Sequence, residues 1–186
     1  MIVRHFLLDV HEANSFVVAC EETREALLVD AGAFDTDVEA FLRGEGLRLV
    51  KVFITHDHFD HTGGLAEYVS RFDAEVLCGL AQVAGCKATR VKHGDHVEVG
   101  RLQGTVLETP GHTPEGLSLA FPGHVFTGDA LFAGSVGGTS SERDRLRQLD
   151  AIRKHIFTLP PQTEIHVGHG PSSTVAIESR FNPFFV

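Results

Sequence analysis

The apolar positions of the chain fall into short runs that are separated by polar turns. Runs rich in Val, Ile, Leu and Phe and bounded by Gly, Pro or Asp are typical of β-strands. The sequence therefore predicts strands at residues 2–8, 15–19, 25–29, 49–54, 75–77, 102–108, 117–121, 124–127 and 164–167.

Three other segments carry apolar residues three and four positions apart, which is the spacing of one helix face. The first lies between Asp35 and Gly44, the second begins after Gly64, and the third spans residues 143–157. The third segment predicts a core-facing stripe of Leu146, Leu149, Ile152 and Ile156. The order of strands, helix, strands and helix favours two mixed β-sheets packed face to face, with helices outside.

Composition narrows the class of protein. A chain of 186 residues fits one domain, so residues 1–186 are predicted to form a single domain. The net charge of −9 argues against a nucleic-acid partner, because phosphate binding requires clustered Lys and Arg. The N-terminal apolar run is interrupted by charged residues, which predicts no membrane partner and a cytoplasmic location.

His and Asp residues are concentrated directly after the predicted strand 49–54, where residues 55–61 read Thr-His-Asp-His-Phe-Asp-His. Imidazole nitrogen together with carboxylate oxygen suits Zn²⁺, and also Fe or Mn. One loop cannot complete two coordination shells, so further ligands must follow other strands. The candidate ligands in and beyond this loop are His56, His58, Asp60, His61, His112, Asp129 and His169.

The His-x-His-x-Asp-His pattern at residues 56–61 resembles the signature of the metallo-β-lactamase superfamily. Residues 126–135 and 168–171, followed by Asn182-Pro183-Phe184, are most similar to its glyoxalase II-like (hydroxyacylglutathione hydrolase-like) group. The resemblance implies a four-layer αβ/βα sandwich with metals at the sheet edges. It also implies a first metal held by His56, His58, His112 and Asp129, and a second held by Asp60, His61, His169 and the shared Asp129.

This resemblance implies a binuclear hydrolase, with a thioester hydrolase as the leading activity. Two divalent ions would supply a metal-bridging hydroxide as the nucleophile. Zn²⁺ is the expected metal, with Fe or Mn as alternatives. The expected catalytic carboxylates are Asp60, Asp129 and Asp57, of which Asp57 is predicted to handle protons rather than bind metal. Asp30 is expected to support a metal-bound imidazole.

Departures from the glyoxalase II pattern leave the substrate open. Gly138 and Ser140 stand where the classical enzymes have Lys and Tyr, and no C-terminal helical glutathione-binding domain is expected after His169. The expected partner is therefore a small (thio)ester, with glutathione conjugates as one class. The alternatives are a mononuclear iron persulfide dioxygenase, a hydrolase of lactones or other esters, and a non-catalytic metal-binding module. The sequence does not indicate the oligomeric state.

Overall fold

The computed structural model describes residues 1–186 and contains two six-stranded sheets and two short hairpins. The strands are β1 Ile2–Leu7, β2 Asn14–Ala19, β3 Glu25–Val29, β4 Arg48–Phe53, β5 Glu75–Cys78, β6 Gln82–Val83, β7 Cys86–Lys87, β8 Thr89–Arg90, β9 His96–Val99, β10 Leu102–Glu108, β11 Leu117–Phe121, β12 His124–Gly128, β13 Leu131–Phe132, β14 Ser135–Val136, β15 Glu164–Val167 and β16 Ser173–Thr174. The helices are α1 Thr36–Gly44, α2 Phe59–Thr62, α3 Leu65–Phe72, α4 Glu142–Ala151 and α5 Val175–Phe181, and a π-helical segment, Ile152–Ile156, continues α4.

Both large sheets are mixed, as the sequence predicts. The first has the order β1-β2-β3-β4-β5-β8, in which β1, β2 and β3 pair antiparallel and the remaining pairs are parallel. The second has the order β16-β15-β12-β11-β10-β9, and only its β12–β15 pair is parallel. The two hairpins are β6–β7 and β13–β14.

The sheets pack face to face, and the helices cover their outer faces. Phe16 of β2 and Phe126 of β12 meet between the sheets, with ring centroids 5.3 Å apart. Because alternate strand residues face opposite sides, neighbouring Val17 packs instead in the cluster formed with α1 and α3. Leu149 of α4 and Ile156 cover the outer face of the second sheet. The predicted αβ/βα sandwich is confirmed.

The third predicted helix is right in extent but wrong in one core position. Its first part, α4, begins at the cap Ser141, whose hydroxyl accepts a hydrogen bond from the Asp144 backbone N–H. Leu146 is 55% exposed, whereas Gln148 is fully buried. At 100° per residue, Leu146 lies roughly 110° from the centre of the face formed by Gln148, Leu149 and Ile152. The buried face therefore has a polar member that apolar spacing does not reveal.

The carboxyl ends of β4, β10, β12 and β15 meet at one edge of the sandwich, where their loops carry the His and Asp candidates. The two sheets contribute to this edge jointly, since β4 belongs to the first and the other three to the second. No helix of the structure has the length and apolar character needed to span a membrane. All three cysteines are free thiols.

Candidate metal centre

The structure brings all seven candidate ligands together at this edge. Four lie in the loop and short helix α2 after β4, and one follows each of β10, β12 and β15. A rigid strand therefore precedes every ligand segment, which fixes where each side chain starts. The seven are His56, His58, Asp60, His61, His112, Asp129 and His169.

Three imidazoles form the first group. The ligand nitrogens of His56, His58 and His112 all lie within 4.8 Å of one another. His112 Nε2 is 3.0 Å from His58 Nδ1, although these residues are 54 positions apart in sequence. These are the histidines that the resemblance assigns to the first metal.

A second group contains Asp60, His61 and His169, whose ligand atoms also lie within 4.8 Å of one another. His169 Nε2 is 3.3 Å from Asp60 Oδ2 and 3.3 Å from His61 Nε2. The first and second groups thus match the two ligand sets that the resemblance implies, apart from the shared carboxylate.

The carboxylate of Asp129 lies between the two groups. Its Oδ2 is 3.5 Å from His112 Nε2, 4.0 Å from His56 Nε2 and 3.6 Å from His169 Nε2. Its Oδ1 is 3.3 Å from His61 Nε2. One buried carboxylate is therefore in reach of imidazoles from both groups, as a shared ligand must be.

Asp30 connects the two groups through hydrogen bonds, directly to His61 and through Thr55 to His56. Its Oδ2 accepts a hydrogen bond from His61 Nδ1 at 2.9 Å and one from the Thr55 hydroxyl at 2.9 Å, and its Oδ1 accepts one from Thr55 N at 2.8 Å. Because the Thr55 hydroxyl donates to Asp30, its oxygen accepts from His56 Nδ1 at 3.0 Å. The Nε2 atoms of both histidines are therefore directed toward Asp129. The predicted support of an imidazole by Asp30 is geometrically in place, whereas the part played by Thr55 had no signal in the sequence.

A backbone carbonyl orients His112 in the same way. Its Nδ1 lies 2.6 Å from the carbonyl oxygen of Gly138, which can only accept, so Nδ1 carries the proton and Nε2 is free to bind a metal. Gln148 holds this loop, because its buried Nε2 donates to the carbonyls of Ala130 and Gly137 at 2.9 and 3.0 Å. Because Gln148 lies outside the predicted apolar stripe of its helix, the sequence pattern does not reveal this support.

Burial and neighbouring charge set the protonation of the site. Burial, reinforced by the neighbouring His61, lowers the pKa of His56 to about 2, so its imidazole is neutral at pH 7. Burial also lowers the pKa of His61, but the charges of Asp30 and Asp129 outweigh that effect and raise it to about 10. For Asp129, burial raises the pKa, but His61 and the other imidazoles lower it to about 2. In the metal-free protein, His61 therefore takes the proton that a metal would displace.

Two glycines allow the close approach of these segments. A Cβ on Gly168 would lie 2.0 Å from Asp129 Oδ1, and a Cβ on Gly128 would lie 2.3 Å from the Thr55 hydroxyl. Gly128 also has φ +49°, a backbone conformation that residues other than glycine rarely adopt. Glycine at both positions therefore permits a compact site.

The ligand atoms themselves indicate that a metal belongs here. His56 Nε2 and Asp129 Oδ1 are buried without any hydrogen-bond partner. Buried polar atoms are almost always paired, so two orphaned ligand atoms facing one small space fit a bound cation. The mixture of imidazole nitrogen and carboxylate oxygen fits Zn²⁺, Fe or Mn equally well.

Two residues beside the ligands have contrasting surroundings. Asp57 is exposed between His56 and His58 and makes no side-chain hydrogen bond or ion pair. His11, for which the sequence predicted no role, lies with its Nδ1 3.4 Å from Asp60 Oδ2 and has φ +51°. The predicted proton-handling role of Asp57 thus rests on its position alone.

Comparison with known proteins agrees with this geometry. The family described as the metallo-beta-lactamase superfamily matches residues 8–84. The hydroxyacylglutathione hydrolase of Halorhodospira halophila is 36% identical over 137 residues, which cover 71% of this chain and 51% of that protein. The chain thus spans about half the length of this relative.

Solved structures share the fold over nearly the whole chain. ETHE1 from Myxococcus xanthus superposes with a TM-score of 0.86 at 33% identity, covering 98% of this chain and 84% of ETHE1. The protein TTHA1623 in a di-iron-bound form superposes with a TM-score of 0.82 at 29% identity, covering 98% of this chain and 100% of TTHA1623. With this fold and this grouping of His and Asp, the chain belongs to the metallo-beta-lactamase superfamily.

Proposed function

We propose that this chain is a binuclear metal-dependent hydrolase that cleaves thioesters. The observation that carries the proposal is the position of Asp129 between two separate ligand groups, 3.5 Å from His112 Nε2 on one side and 3.3 Å from His61 Nε2 on the other. A single-metal site needs only one of these groups. The di-iron-bound form of TTHA1623 supports occupation of both by metal.

The ligand atoms of His56, His58 and His112 already lie within 4.8 Å of one another, and so do those of Asp60, His61 and His169. The first ion would be held by His56, His58, His112 and Asp129, and the second by Asp60, His61, His169 and Asp129. Two such ions supply Lewis-acid chemistry, lowering the pKa of bound water toward neutrality and polarising a carbonyl oxygen. The site then requires no serine or cysteine nucleophile.

The negative charge of the protein ligands is smaller than the positive charge of two divalent ions, which favours an anionic transition state. Asp60 and Asp129 bring two negative charges into the ligand set, against four positive charges on two divalent ions. Asp30 adds a third negative charge, but it is already paired with His61 Nδ1. A net positive site stabilises the oxyanion that forms when water adds to a thioester carbonyl.

Aromatic side chains beside the ligands suit an acyl group. Phe59, within the ligand loop, is 71% exposed, and the ring of Phe132 lies 6.2 Å from that of His169. An exposed phenyl ring next to a charged site provides apolar surface where a substrate can pack. The acyl portion of the thioester is proposed to rest on these rings. Asp57, exposed in the same loop, is proposed to receive the proton released during hydrolysis.

The choice of a thioester rests on the relatives named hydroxyacylglutathione hydrolase, a name that specifies hydrolysis of a glutathione conjugate. Gly138 and Ser140 offer no cationic or phenolic side chain for that conjugate. Thioesters as a class are therefore proposed, and not glutathione thioesters in particular.

The test is hydrolysis of a substrate panel by protein loaded with Zn²⁺, Fe²⁺ or Mn²⁺. Thiol release from acetyl, lactoyl and longer acyl thioesters would be followed with a thiol-reactive dye, beside a lactone and a phosphodiester. We expect thioester cleavage that falls to background in Asp129→Asn but survives in Asp37→Asn, the same substitution at an exposed position of α1 away from the centre. Cleavage of the lactone or phosphodiester alone contradicts the thioester proposal. Oxygen consumption with glutathione persulfide would also contradict it and would indicate a persulfide dioxygenase instead.

A further inference from the structure

A second cluster of metal-binding side chains lies outside the metal centre. His124, Glu164 and His166 bring their ligand atoms within 4.8 Å of one another. They line a groove of about 400 Å³ along the open side of the sandwich, together with His5 of β1 and Phe16 of β2. None of these residues belongs to the ligand set that holds the catalytic ions.

Strand pairing places the three side chains on one face. β12 and β15 are parallel neighbours in which His124 pairs with Glu164, and Phe126 pairs with His166. Residues two apart on a strand point to the same side, so His166 stands beside Glu164 and both face His124. The cluster is therefore fixed by two strands rather than by mobile loops.

The distances within this cluster match a metal coordination shell. His124 Nδ1 lies 3.0 Å from His166 Nε2 and 3.5 Å from Glu164 Oε2, and His166 Nε2 lies 3.7 Å from Glu164 Oε2. Ligands about 2.0–2.1 Å from a tetrahedral ion are about 3.4 Å from one another. The three atoms thus approximate one triangular face of such a tetrahedron.

The surroundings of His166 prepare it as a ligand. Its Nδ1 lies 3.2 Å from the Ser172 hydroxyl, which leaves Nε2 toward His124 and Glu164. The rings of Phe16 and Phe126 hold it at centroid distances of 5.1 and 4.7 Å. Burial, and then the neighbouring His124, lower the pKa of His166 to about 4, so the imidazole is neutral at pH 7.

The charge of the groove favours a cation. Glu164 is the one acidic residue that lines it, and its side chain is 56% exposed, so an ion can reach it from solvent. No lysine or arginine lines the groove. The amino group of Met1, which also borders it, is paired with Glu21. A divalent ion would therefore meet no free side-chain cation.

We propose that His124, Glu164 and His166 bind an additional divalent transition-metal ion of the Zn²⁺, Ni²⁺ or Cu²⁺ class. Two imidazoles and one carboxylate provide three protein ligands, and water completes the shell from the groove. The ion replaces the hydrogen bond between the two imidazoles and joins the starts of β12 and β15. The opposite ends of these strands lead to Asp129 and His169.

The test is the number of Zn²⁺ ions bound per chain, measured by elemental analysis and by titration against a chelating dye. Glu164→Gln removes one ligand at an exposed position and keeps the side chain's shape, while His124→Ala removes another. His96→Ala, in the edge strand β9, is the matched control. We expect wild type and His96→Ala to bind one more ion than the two ligand variants at the same free Zn²⁺. Loss of a supporting residue alone typically weakens metal affinity 10- to 100-fold, so loss of the carboxylate should weaken this ion at least about tenfold.

This outcome is separable from that of the proposed catalytic centre. His58→Ala is expected to lose metal from the centre and to retain the additional ion, whereas Glu164→Gln is expected to do the reverse. Equal metal content and equal affinity in wild type, Glu164→Gln and His124→Ala would overturn the inference. His124 and His166 would then be a hydrogen-bonded pair only.

Discussion

Substitution of Asp30 by asparagine tests how the protein holds its metal ligands. Asp30 accepts three hydrogen bonds, at 2.8 Å from Thr55 N, 2.9 Å from the Thr55 hydroxyl and 2.9 Å from His61 Nδ1. Asparagine has the same size and tolerates the φ of +59° found here. Its amide, however, has one oxygen where the carboxylate has two. In either orientation, the NH₂ group must face another donor.

The expected loss is largest at the ligand group that contains His61. A hydrogen bond to a charged group contributes about 1.5–3 kcal/mol, and about 1.4 kcal/mol corresponds to a tenfold change in affinity. Asp30→Asn should therefore weaken the ion at Asp60, His61 and His169 about 10- to 100-fold. His56 is connected to Asp30 only through Thr55, so the ion at the other group should weaken less than about tenfold.

The assay is stepwise Zn²⁺ titration of metal-free protein against a chelating dye, with Asp37→Asn as the control. Asp37 is an exposed acid of α1, so its substitution removes the same charge away from the centre. The control should titrate as wild type. If Asp30→Asn retains wild-type affinity for every equivalent of Zn²⁺, the hydrogen bonds of Asp30 do not contribute to metal affinity and the reasoning is wrong.

Three further predictions concern the same centre. Asp129→Asn should weaken both catalytic ions and reduce thioester hydrolysis at least about 100-fold, because it removes a ligand from both groups; loss of a single ion would contradict the sharing. Gly168→Ala places a Cβ 2.0 Å from Asp129 Oδ1 and should lower both metal content and the melting temperature, as measured by elemental analysis and calorimetry; unchanged values would refute the close packing. The pKa of His61 is raised to about 10, above its ordinary value, so the metal-free protein should lose stability as pH rises from 7 to 10 and should release a proton when Zn²⁺ binds at pH 8. Calorimetry in two buffers of different ionisation enthalpy checks the proton, and denaturant unfolding across that pH range checks the stability.

Much of the fold and the candidate ligand set follows from local sequence pattern. Apolar runs bounded by turn residues gave the limits of the strands Glu25–Val29, Leu102–Glu108, Leu117–Phe121 and Glu164–Val167 as the structure has them. The seven candidate ligands stand out in the sequence because each follows a strand, and four of them lie in one dense motif. Polar residues at the ends of buried strands are visible in a single sequence.

Other features depend on contacts that a sequence does not display. His124 and His166 lie on different strands, and only the register of β12 against β15 brings them together. The role of Thr55 arises because its hydroxyl lies between Asp30 and His56. The short strands and α5 lack a long apolar run, so no periodic signal marks them. These features belong to tertiary packing rather than to local preference.

The most direct measurement is the number and identity of metal ions held by the catalytic centre. Elemental analysis of purified Glu164→Gln, in which a ligand of the proposed additional site is removed, would be compared with the same variant carrying His58→Ala or His169→Ala. The binuclear account predicts two ions per chain, with fewer ions after either second substitution. A single ion, iron in particular, that is unaffected by His169→Ala would contradict it.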